Sequence, residues 1–134
     1  MSIKILTVNI VKDINKEVVA IAHEDYGVLN EGLLEQSVNS VLSAFGEYEL
    51  YPTLLEKVAQ LCYSLCKNHC FTDGNKRTAV IAMLMFLDTN GMNVSQINHN
   101  TLAELIWNVA DGSRSRTDIL NYLKTIYRNV GDDN

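Results

Sequence analysis

The chain has 134 residues, 47% of them hydrophobic, and a net charge of −5. This length and apolar content suffice for one core of ordinary domain size, so we expect a single domain over residues 1–134. The negative charge disfavours a general attraction to nucleic acid or to an anionic membrane. The longest wholly apolar run, residues 79–87, is too short to span a bilayer, and the N-terminus lacks the apolar core of a signal peptide. We therefore expect a soluble, cytoplasmic protein without nucleic-acid or membrane partners.

The spacing of apolar residues predicts an all-α fold, a bundle of about six helices. The helices are expected over residues 11–23, 30–46, 52–68, 77–88, 101–110 and 115–127. The fourth is apolar on all sides and is predicted to be the central helix of the bundle. Only residues 3–10 and 47–51 have the composition of extended segments.

Individual residues mark several helix ends. Asn30 is an acceptable N-cap for the second helix, and Pro52 fits the first turn of the third. Residues 115–118 have the pattern of a capping box at the start of the sixth helix. The pair Asn90-Gly91 predicts the end of the fourth helix, because glycine readily adopts the left-handed conformation found there.

Three cysteines, Cys62, Cys66 and Cys70, follow one another at intervals of four residues. Their odd number and the reducing compartment expected for the chain disfavour disulfides. The Cys-x-x-Cys spacing of compact zinc sites is absent, and the nearest nitrogen ligand, His69, belongs to a different pattern. We therefore expect these thiols to act as small apolar side chains that fill space.

The most specific feature is the segment His-Cys-Phe-Thr-Asp-Gly-Asn-Lys-Arg at residues 69–77, between the predicted third and fourth helices. A turn that opens a helix directs free backbone N–H groups and the positive end of the helix dipole at one point. Two cationic side chains, Lys76 and Arg77, add to this attraction for anions. The segment therefore predicts a local phosphate-binding site on an acidic protein.

His69 has two interpretations. A histidine at the end of a helix commonly caps the terminal carbonyls and complements the dipole. Beside a phosphate-binding turn, an imidazole can instead accept a proton from an incoming hydroxyl, as a transferase with a Ser, Thr or Tyr acceptor requires. The neighbouring residues favour the catalytic interpretation.

The residues after His69 can each serve a nucleotide. Asp73 could be an ordinary loop carboxylate in an Asx turn, but it can also hold Mg²⁺ against phosphates, since Mg²⁺ typically takes one or two carboxylates. Gly74 permits close approach of a phosphate to the backbone. Asn75 can cap the new helix or donate its amide to a phosphate oxygen. Phe71 is predicted to anchor the loop on the core.

Lys76 and Arg77 would ordinarily be read as a solvated pair. Here they open a helix that is otherwise apolar, where their positive charge opposes the helix dipole. A bound anion would remove that penalty, so we predict that both side chains contact phosphate.

The pattern His-x-Phe-x-Asp-Gly-Asn-Lys-Arg-Thr-Ala at residues 69–79 resembles the signature of the Fic/Doc superfamily, and specifically its Doc (death-on-curing) branch. Residues 26–35, 86–91 and 109–112 also resemble segments of Doc proteins, so the likeness extends over nearly the whole chain. The resemblance implies an all-helical fold and transfer of part of ATP to a protein hydroxyl.

Two positions separate the Doc branch from the adenylylating Fic branch. The Fic branch typically has glycine in place of Lys76 and a second arginine in place of Val80. The resemblance therefore implies a Doc-like toxin, paired with an antitoxin, that phosphorylates a threonine of elongation factor Tu and inhibits translation. It implies that His69 is the base, Asp73 the Mg²⁺ ligand, and residues 74–77 the contacts to the phosphates of ATP.

Residues 46–51 are predicted to form a flap that holds the target peptide. Their alternating pattern lies just before the third helix, and Fic-type enzymes have a flap in the same order of elements. An exposed strand edge can bind an extended peptide by main-chain pairing. Tyr48, Glu49 and Leu50 are the predicted target contacts.

Two other functions stay open at this point. An AMP or other nucleotide transferase could use the same scaffold, and a chain that has lost activity could act as a binding module. Cys70 stands where Fic and many Doc-like motifs have proline, and without the fixed φ of proline a looser loop is expected. His23 and His99 lie outside the motif and are expected to be structural or surface residues.

Overall fold

A computed structural model describes residues 2–128 and contains, within that range, six α-helices and one short β-hairpin. The helices are α1 Val8–Ile21, α2 Glu31–Asn39, α3 Leu54–Lys67, α4 Asn75–Thr89, α5 His99–Ala110 and α6 Arg116–Ile126. Single 3₁₀ turns lie at Ser40–Leu42 and Val94–Gln96. The predicted all-α fold class is confirmed.

Polar side chains fix where several helices begin. The Asn30 carboxamide accepts a hydrogen bond of 3.0 Å from the first turn of α2, which confirms it as the N-cap. The capping box over residues 115–118 is formed as well. Pro52 was expected in the first turn of α3 but precedes the N-cap, Thr53, whose hydroxyl oxygen accepts from the Glu56 N–H at 3.2 Å. A threonine hydroxyl satisfies one of the unpaired donors of the first turn, so the helix begins after it.

Helices α1 and α5 begin earlier than their apolar stripes predict. Helix α1 begins at Val8, after the N-cap Thr7, so the segment 3–10 is helical in its last part and not extended throughout. Helix α5 begins at His99, after the N-cap Asn98. In both, the cap side chain accepts a backbone hydrogen bond three residues on, at 3.2 and 3.0 Å. The position of the cap decides the start of the helix, whereas the apolar stripe decides only which face is buried.

Helix α3, not α4, lies at the centre of the bundle. It packs against α2, α4, α5 and α6, and nine of its 14 residues are buried. Helix α4 packs against α1, α3 and α5 but leaves Ile81 41% exposed. The prediction that α4 is central is therefore wrong. Helix α4 has apolar residues on all sides, but the neighbouring helices cover only some of those sides. Part of this uncovered face lines an open cleft between α1, α4 and α5.

The second helix is shorter than the predicted span of residues 30–46. Helix α2 ends at Asn39 and is followed by one 3₁₀ turn. The Ser40 hydroxyl donates to the Ser37 carbonyl at 2.7 Å, and serine bonds of this kind compete with the helical pattern of the backbone. Phe45 was expected on the apolar stripe of this helix but lies beyond it and is 84% exposed.

The chain between α2 and α3 forms a hairpin of β1 (Ala44–Phe45) and β2 (Tyr48–Glu49), paired antiparallel. Gly46 has a φ of 63°, as the first residue of a two-residue hairpin turn of this kind requires. The predicted extended segment 47–51 is thus a strand at its centre. Its partner strand was missed, because those residues were assigned to the second helix.

A buried lysine ties this hairpin to α3. The Lys57 side chain is only 5% exposed, and its ammonium donates to the Glu49 carboxylate at 3.1 Å and to the Tyr51 carbonyl. From the other side, the Arg116 guanidinium lies 5.0 Å from the centre of the Tyr51 ring. A two-stranded hairpin is marginal by itself, so these contacts hold it in place.

Two further predictions concern membrane-spanning helices and the three cysteines. No helix in residues 2–128 combines the length and the apolar content that crossing a bilayer demands. Cys62, Cys66 and Cys70 are free thiols and all three are buried, which confirms that they fill space. Cys70 does so from the loop after α3, where its Sγ lies 3.6 Å from the Ser37 hydroxyl.

Candidate functional site

The loop between α3 and α4, which carries the motif, is held by the loop between α1 and α2. Two backbone hydrogen bonds of 2.8 Å, from Leu29 to Cys70 and from Thr72 to Gly27, flank an antiparallel bridge between the two loops. A Cβ on Gly27 would lie 2.5 Å from the Thr72 hydroxyl oxygen, so any other residue there would force the Thr72 side chain to move. The pairing fixes the backbone at Cys70, where the sequence predicted a looser loop.

Phe71 and Asn75 fix the inner side of the motif loop. Phe71 is buried in the core. Its N–H donates to Asn75 Oδ1 at 3.0 Å, and Asn75 Nδ2 donates to the Phe71 carbonyl at 2.8 Å. Both polar ends of the Asn75 carboxamide therefore hold the loop. What Asn75 can present to an anion without breaking these bonds is its backbone N–H and the second hydrogen of Nδ2.

Gly74 makes the turn that starts α4. It has φ 74°, and a Cβ there would lie 3.1 and 3.2 Å from methyl carbons of Val18 and Val19 on α1. Helix α4 begins at Asn75, two residues before the predicted start. The N–H groups of residues 75–77 have no acceptor within the helix, so they are available to an anion.

Asn15 is a residue of the site that sequence reasoning missed. It is fully buried on α1, and its Nδ2 donates to the Asp73 carbonyl at 2.9 Å and to the Thr78 hydroxyl at 3.0 Å. Asn15 thus pins both sides of the turn at Gly74 to α1. The signal was a single polar residue next to Ile14 in an otherwise apolar stripe.

Asp73 is half-buried and oriented by its neighbours. Its Oδ2 accepts a hydrogen bond of 3.2 Å from the Asp25 N–H, while no hydrogen bond from residues 2–128 reaches Oδ1. In the same part of the chain, no three His, Cys, Asp or Glu side chains are grouped so that they could hold a metal by themselves. One oriented carboxylate suits Mg²⁺, which keeps most of its shell as water and phosphate oxygens.

His69 is the residue that ends α3. It follows the C-cap Asn68 and has φ 52°, a left-handed conformation in which glycine is the usual residue and histidine is enriched over most others. The imidazole is exposed and makes no hydrogen bond within residues 2–128. The backbone, and not the imidazole, therefore terminates the helix, and the side chain is available for proton transfer. Such backbone outliers cluster at functional sites.

Arg77 is paired with a second residue that the sequence did not indicate, Glu24. The Arg77 guanidinium forms an ion pair with the Glu24 carboxylate. The α1 terminus positions Glu24, whose N–H donates to the Val19 carbonyl at 2.8 Å in a Schellman arrangement with His23 in the left-handed position. A phosphate bound to Arg77 would compete with this carboxylate.

Lys76 contacts an aromatic ring on α5. Its ammonium lies 4.6 Å from the centre of the Trp107 ring, a cation–π arrangement. Both cationic side chains of the motif therefore have specific neighbours and are not a freely solvated pair. Neither neighbour is buried, so an anionic ligand can displace both contacts.

A cleft of about 740 Å³ begins at these cations and runs between α1, α4 and α5. All four residues predicted to contact phosphate, 74–77, line it, together with Glu24 and Trp107. His69 and Asp73 are not among its lining residues. The structure thus places the predicted phosphate-binding turn in the lining of the cleft, and the candidate base and metal ligand on the loop that precedes it.

The predicted flap presents aromatic side chains to solvent. Tyr48 is 73% exposed and lies opposite Phe45, which is also exposed. Leu50 is exposed as well, whereas the Glu49 carboxylate is held by Lys57. Tyr48 and Leu50 are therefore available for contact with another molecule, and Glu49 serves the attachment of the hairpin.

Comparison with known proteins agrees with this arrangement. The model of the Fic/DOC family matches residues 5–87, a region that includes α1, the hairpin and the motif. The chain is 31% identical to Protein kinase doc of Escherichia phage P1 over 101 residues, which are 75% of this chain and 78% of that protein. It is 40% identical to Toxin Doc of Mycolicibacterium smegmatis over 68 residues, about half of each protein (51% and 52%). The chain therefore belongs to the Fic/Doc family, in its Doc branch.

Proposed function

We propose that this chain is a Doc-type toxin kinase. It transfers the γ-phosphate of ATP to a Ser or Thr hydroxyl of a protein target, elongation factor Tu by the family resemblance, and thereby inhibits translation. The observation that carries the proposal is the open N-terminus of α4, with Lys76 and Arg77, next to an exposed imidazole at His69. The likeness to a relative named Protein kinase doc supports the same reaction.

The proposed reaction couples a proton transfer to His69 with the transfer of the γ-phosphoryl group. A ring nitrogen of His69 accepts the proton of the acceptor hydroxyl, and the hydroxyl oxygen forms a bond to the γ-phosphorus. The bond from the γ-phosphorus to the β–γ bridging oxygen breaks, and ADP leaves with that oxygen. The α4 N–H groups, Lys76 and Arg77 stabilise the charge on the phosphoryl oxygens. When the nucleotide binds, the Arg77 guanidinium exchanges its ion pair with Glu24 for contact with a phosphate.

Mg²⁺ that arrives with the nucleotide would be held by Asp73 and would supply positive charge beside the phosphates. The Asp25 N–H and Asn15 support this assignment, because they fix the carboxylate and the carbonyl of Asp73 at 3.2 and 2.9 Å. Asp73 thus suits a metal ion whose other ligands are mainly phosphate oxygens and water.

Position 80 favours phosphate transfer over AMP transfer. Val80 is half-buried and lines the cleft, where the adenylylating branch would have a second arginine. Without that cation, the cleft offers no charged group at this position to a distal phosphate. We infer that the γ-phosphate lies at the motif loop, near His69, and that a cognate antitoxin blocks the toxin, as the name Toxin Doc of the mycobacterial relative suggests.

The test is a transfer assay with ATP labelled either on the α- or on the γ-phosphate. The purified protein, Mg²⁺ and elongation factor Tu should give protein-bound label from γ-labelled ATP alone. Label from α-labelled ATP would show nucleotide transfer instead. Absence of both labels, with elongation factor Tu and with a complete bacterial lysate, would favour the inactive binding module.

A further inference from the structure

The cleft between α1, α4 and α5 is continuous with the phosphate turn but has a different character. Beyond Lys76 and Arg77 its walls are mainly apolar, from Val18 and Ile21 of α1 and from Ile81 and Leu84 of α4. Its volume of about 740 Å³ lies within the usual range of small-molecule sites, roughly 300–1,000 Å³. An apolar recess that opens directly from a phosphate site matches a nucleotide, which joins phosphates to a flat base.

Trp107 is the most unusual side chain of this cleft. It is the only tryptophan of the chain and is 63% exposed on α5, while its neighbour Ile106 is buried. Its ring lies beside Lys76, a predicted phosphate contact. The indole therefore stands within reach of the nucleoside half of any nucleotide whose phosphates contact Lys76.

We propose that this cleft holds the nucleoside half of the nucleotide and that the base stacks on Trp107. The inference rests on the proposed function, since it takes ATP as the ligand of the phosphate turn. The Lys76 ammonium lies 4.6 Å from the centre of the ring. Binding of phosphate draws the ammonium away from the ring, and the base takes its place, so one movement prepares both halves of the site.

Two ligands separate stacking from phosphate binding: Mg²⁺–ATP and Mg²⁺–tripolyphosphate, which lacks the nucleoside. Calorimetric titrations of the wild type, Trp107→Ala and Trp107→Phe with both ligands give six dissociation constants. Stacking of a base on an aromatic side chain accounts for roughly 5- to 150-fold in affinity. Trp107→Ala should weaken ATP binding by a factor in that range, and Trp107→Phe by much less. Tripolyphosphate should bind Trp107→Ala at least as tightly as the wild type, because that variant has no cation–π contact with Lys76 for the phosphate to break.

A second readout uses the single tryptophan directly. ATP should protect the fluorescence of Trp107 from quenching by acrylamide, because the base covers the ring. Tripolyphosphate should leave the ring accessible. Thermal melting of the two variants verifies that replacement of this exposed side chain leaves the fold intact.

The outcomes are distinct. Equal losses for ATP and tripolyphosphate in Trp107→Ala would mean that the ring acts only through Lys76, and would overturn the stacking. Unchanged ATP affinity in Trp107→Ala, without protection from acrylamide, would place the base elsewhere and leave the cleft for a protein segment; the proposed kinase function would then still stand. A wild-type protein that binds no ATP would overturn both the stacking and the proposed function.

Discussion

Two histidines, His69 and His23, occupy equivalent backbone positions at the ends of helices. Their φ values are 52° and 57°, and both side chains are exposed. His69 lies in the motif and has been assigned the role of base, whereas His23 ends α1 and makes no contact that the proposed reaction uses. Substitution of each histidine in turn therefore distinguishes a loss of imidazole chemistry from the cost of a left-handed backbone, because both positions have that backbone conformation.

We expect His69→Asn to reduce the rate of phosphate transfer by about 10²- to 10⁴-fold, the usual contribution of a general base. Asparagine tolerates the left-handed conformation but cannot accept the proton, so the fold and ATP affinity should be unchanged. His23→Asn is the matched control and should retain the wild-type rate. Single-turnover rates with γ-labelled ATP measure both. Similar rates for His69→Asn and the wild type would exclude the base assignment.

At the residue scale, the sequence predicted the members of the motif but not their partners. Spacing along the chain marked His69 and Asp73 because they lie within nine residues of one another. Asn15 on α1 and Glu24 just after α1 bond to residues 53 to 63 positions further along the chain, and no local pattern brings them there. The buried carboxamide of Asn75 was likewise invisible, since its two bonds to Phe71 depend on how the loop folds.

Among the elements, the junction of α1 and α4 carries the geometry of the site. Gly74 lies at this junction with φ 74°, in contact distance of α1, and Gly91 ends α4 with φ 83° and open space around it. Both glycines have a positive φ, in the left-handed range. Only the first also lacks room for a side chain.

Gly74→Ala should therefore cost more stability than Gly91→Ala. Each substitution imposes a strained left-handed alanine, which typically costs about 1–3 kcal/mol. Gly74→Ala adds a Cβ within 3.1 Å of Val18, which forces α4 away from α1 and should also weaken ATP binding. Urea unfolding curves and ATP titrations of the two variants test this. Equal free energies of unfolding and equal ATP affinities would show that α1 does not constrain the turn.

The hairpin is the second element with a predicted function, and it is attached to α3 through Lys57. We expect Lys57→Met to leave the helical bundle intact, because an unbranched apolar side chain fills the same buried space. The bonds to Glu49 and Tyr51 are lost, so amide exchange over residues 44–51 should accelerate and transfer to a protein target should slow. ATP affinity should stay at its wild-type value.

Lys67→Met on the same helix is the matched control for this variant, since Lys67 is exposed and makes no ion pair within residues 2–128. It should show wild-type amide exchange in the hairpin. If Lys57→Met kept full protection of residues 44–51, the lysine would not be the attachment of the hairpin.

Periodicity predicted these elements unevenly. It gave the existence of all six helices, because each has an apolar stripe that must be buried. It gave β2 but not β1, since Phe45 is apolar at a helical spacing from Val41 and yet lies exposed in a strand. It also placed α4 at the centre, because an apolar composition looks the same whether a face meets another helix or an open cleft.

For the whole molecule, the core is built around α3 and includes three thiols. Burial raises the pKa of Cys62, Cys66 and Cys70, and the effect is largest for Cys62, which is fully enclosed and lies near Cys66. The native core therefore keeps Cys62 protonated at a pH where the unfolded chain ionises. The native protein therefore loses stability relative to the unfolded chain as the pH rises through the range in which the unfolded thiol ionises.

The sign and size of this effect can be measured. Above about pH 8.5, the ordinary pKa of cysteine, the unfolded chain binds fewer protons at residue 62 than the native protein. The free energy of unfolding should then fall by an extra ~1.4 kcal/mol per pH unit. Cys62→Ala should lack this part of the slope in urea titrations between about pH 8 and pH 10. Val58→Ala, a cavity in the same helix that keeps every thiol, should retain the wild-type slope. Parallel curves for the wild type and Cys62→Ala would mean that the enclosed thiol ionises in the native protein, and that the core around α3 opens to water at high pH.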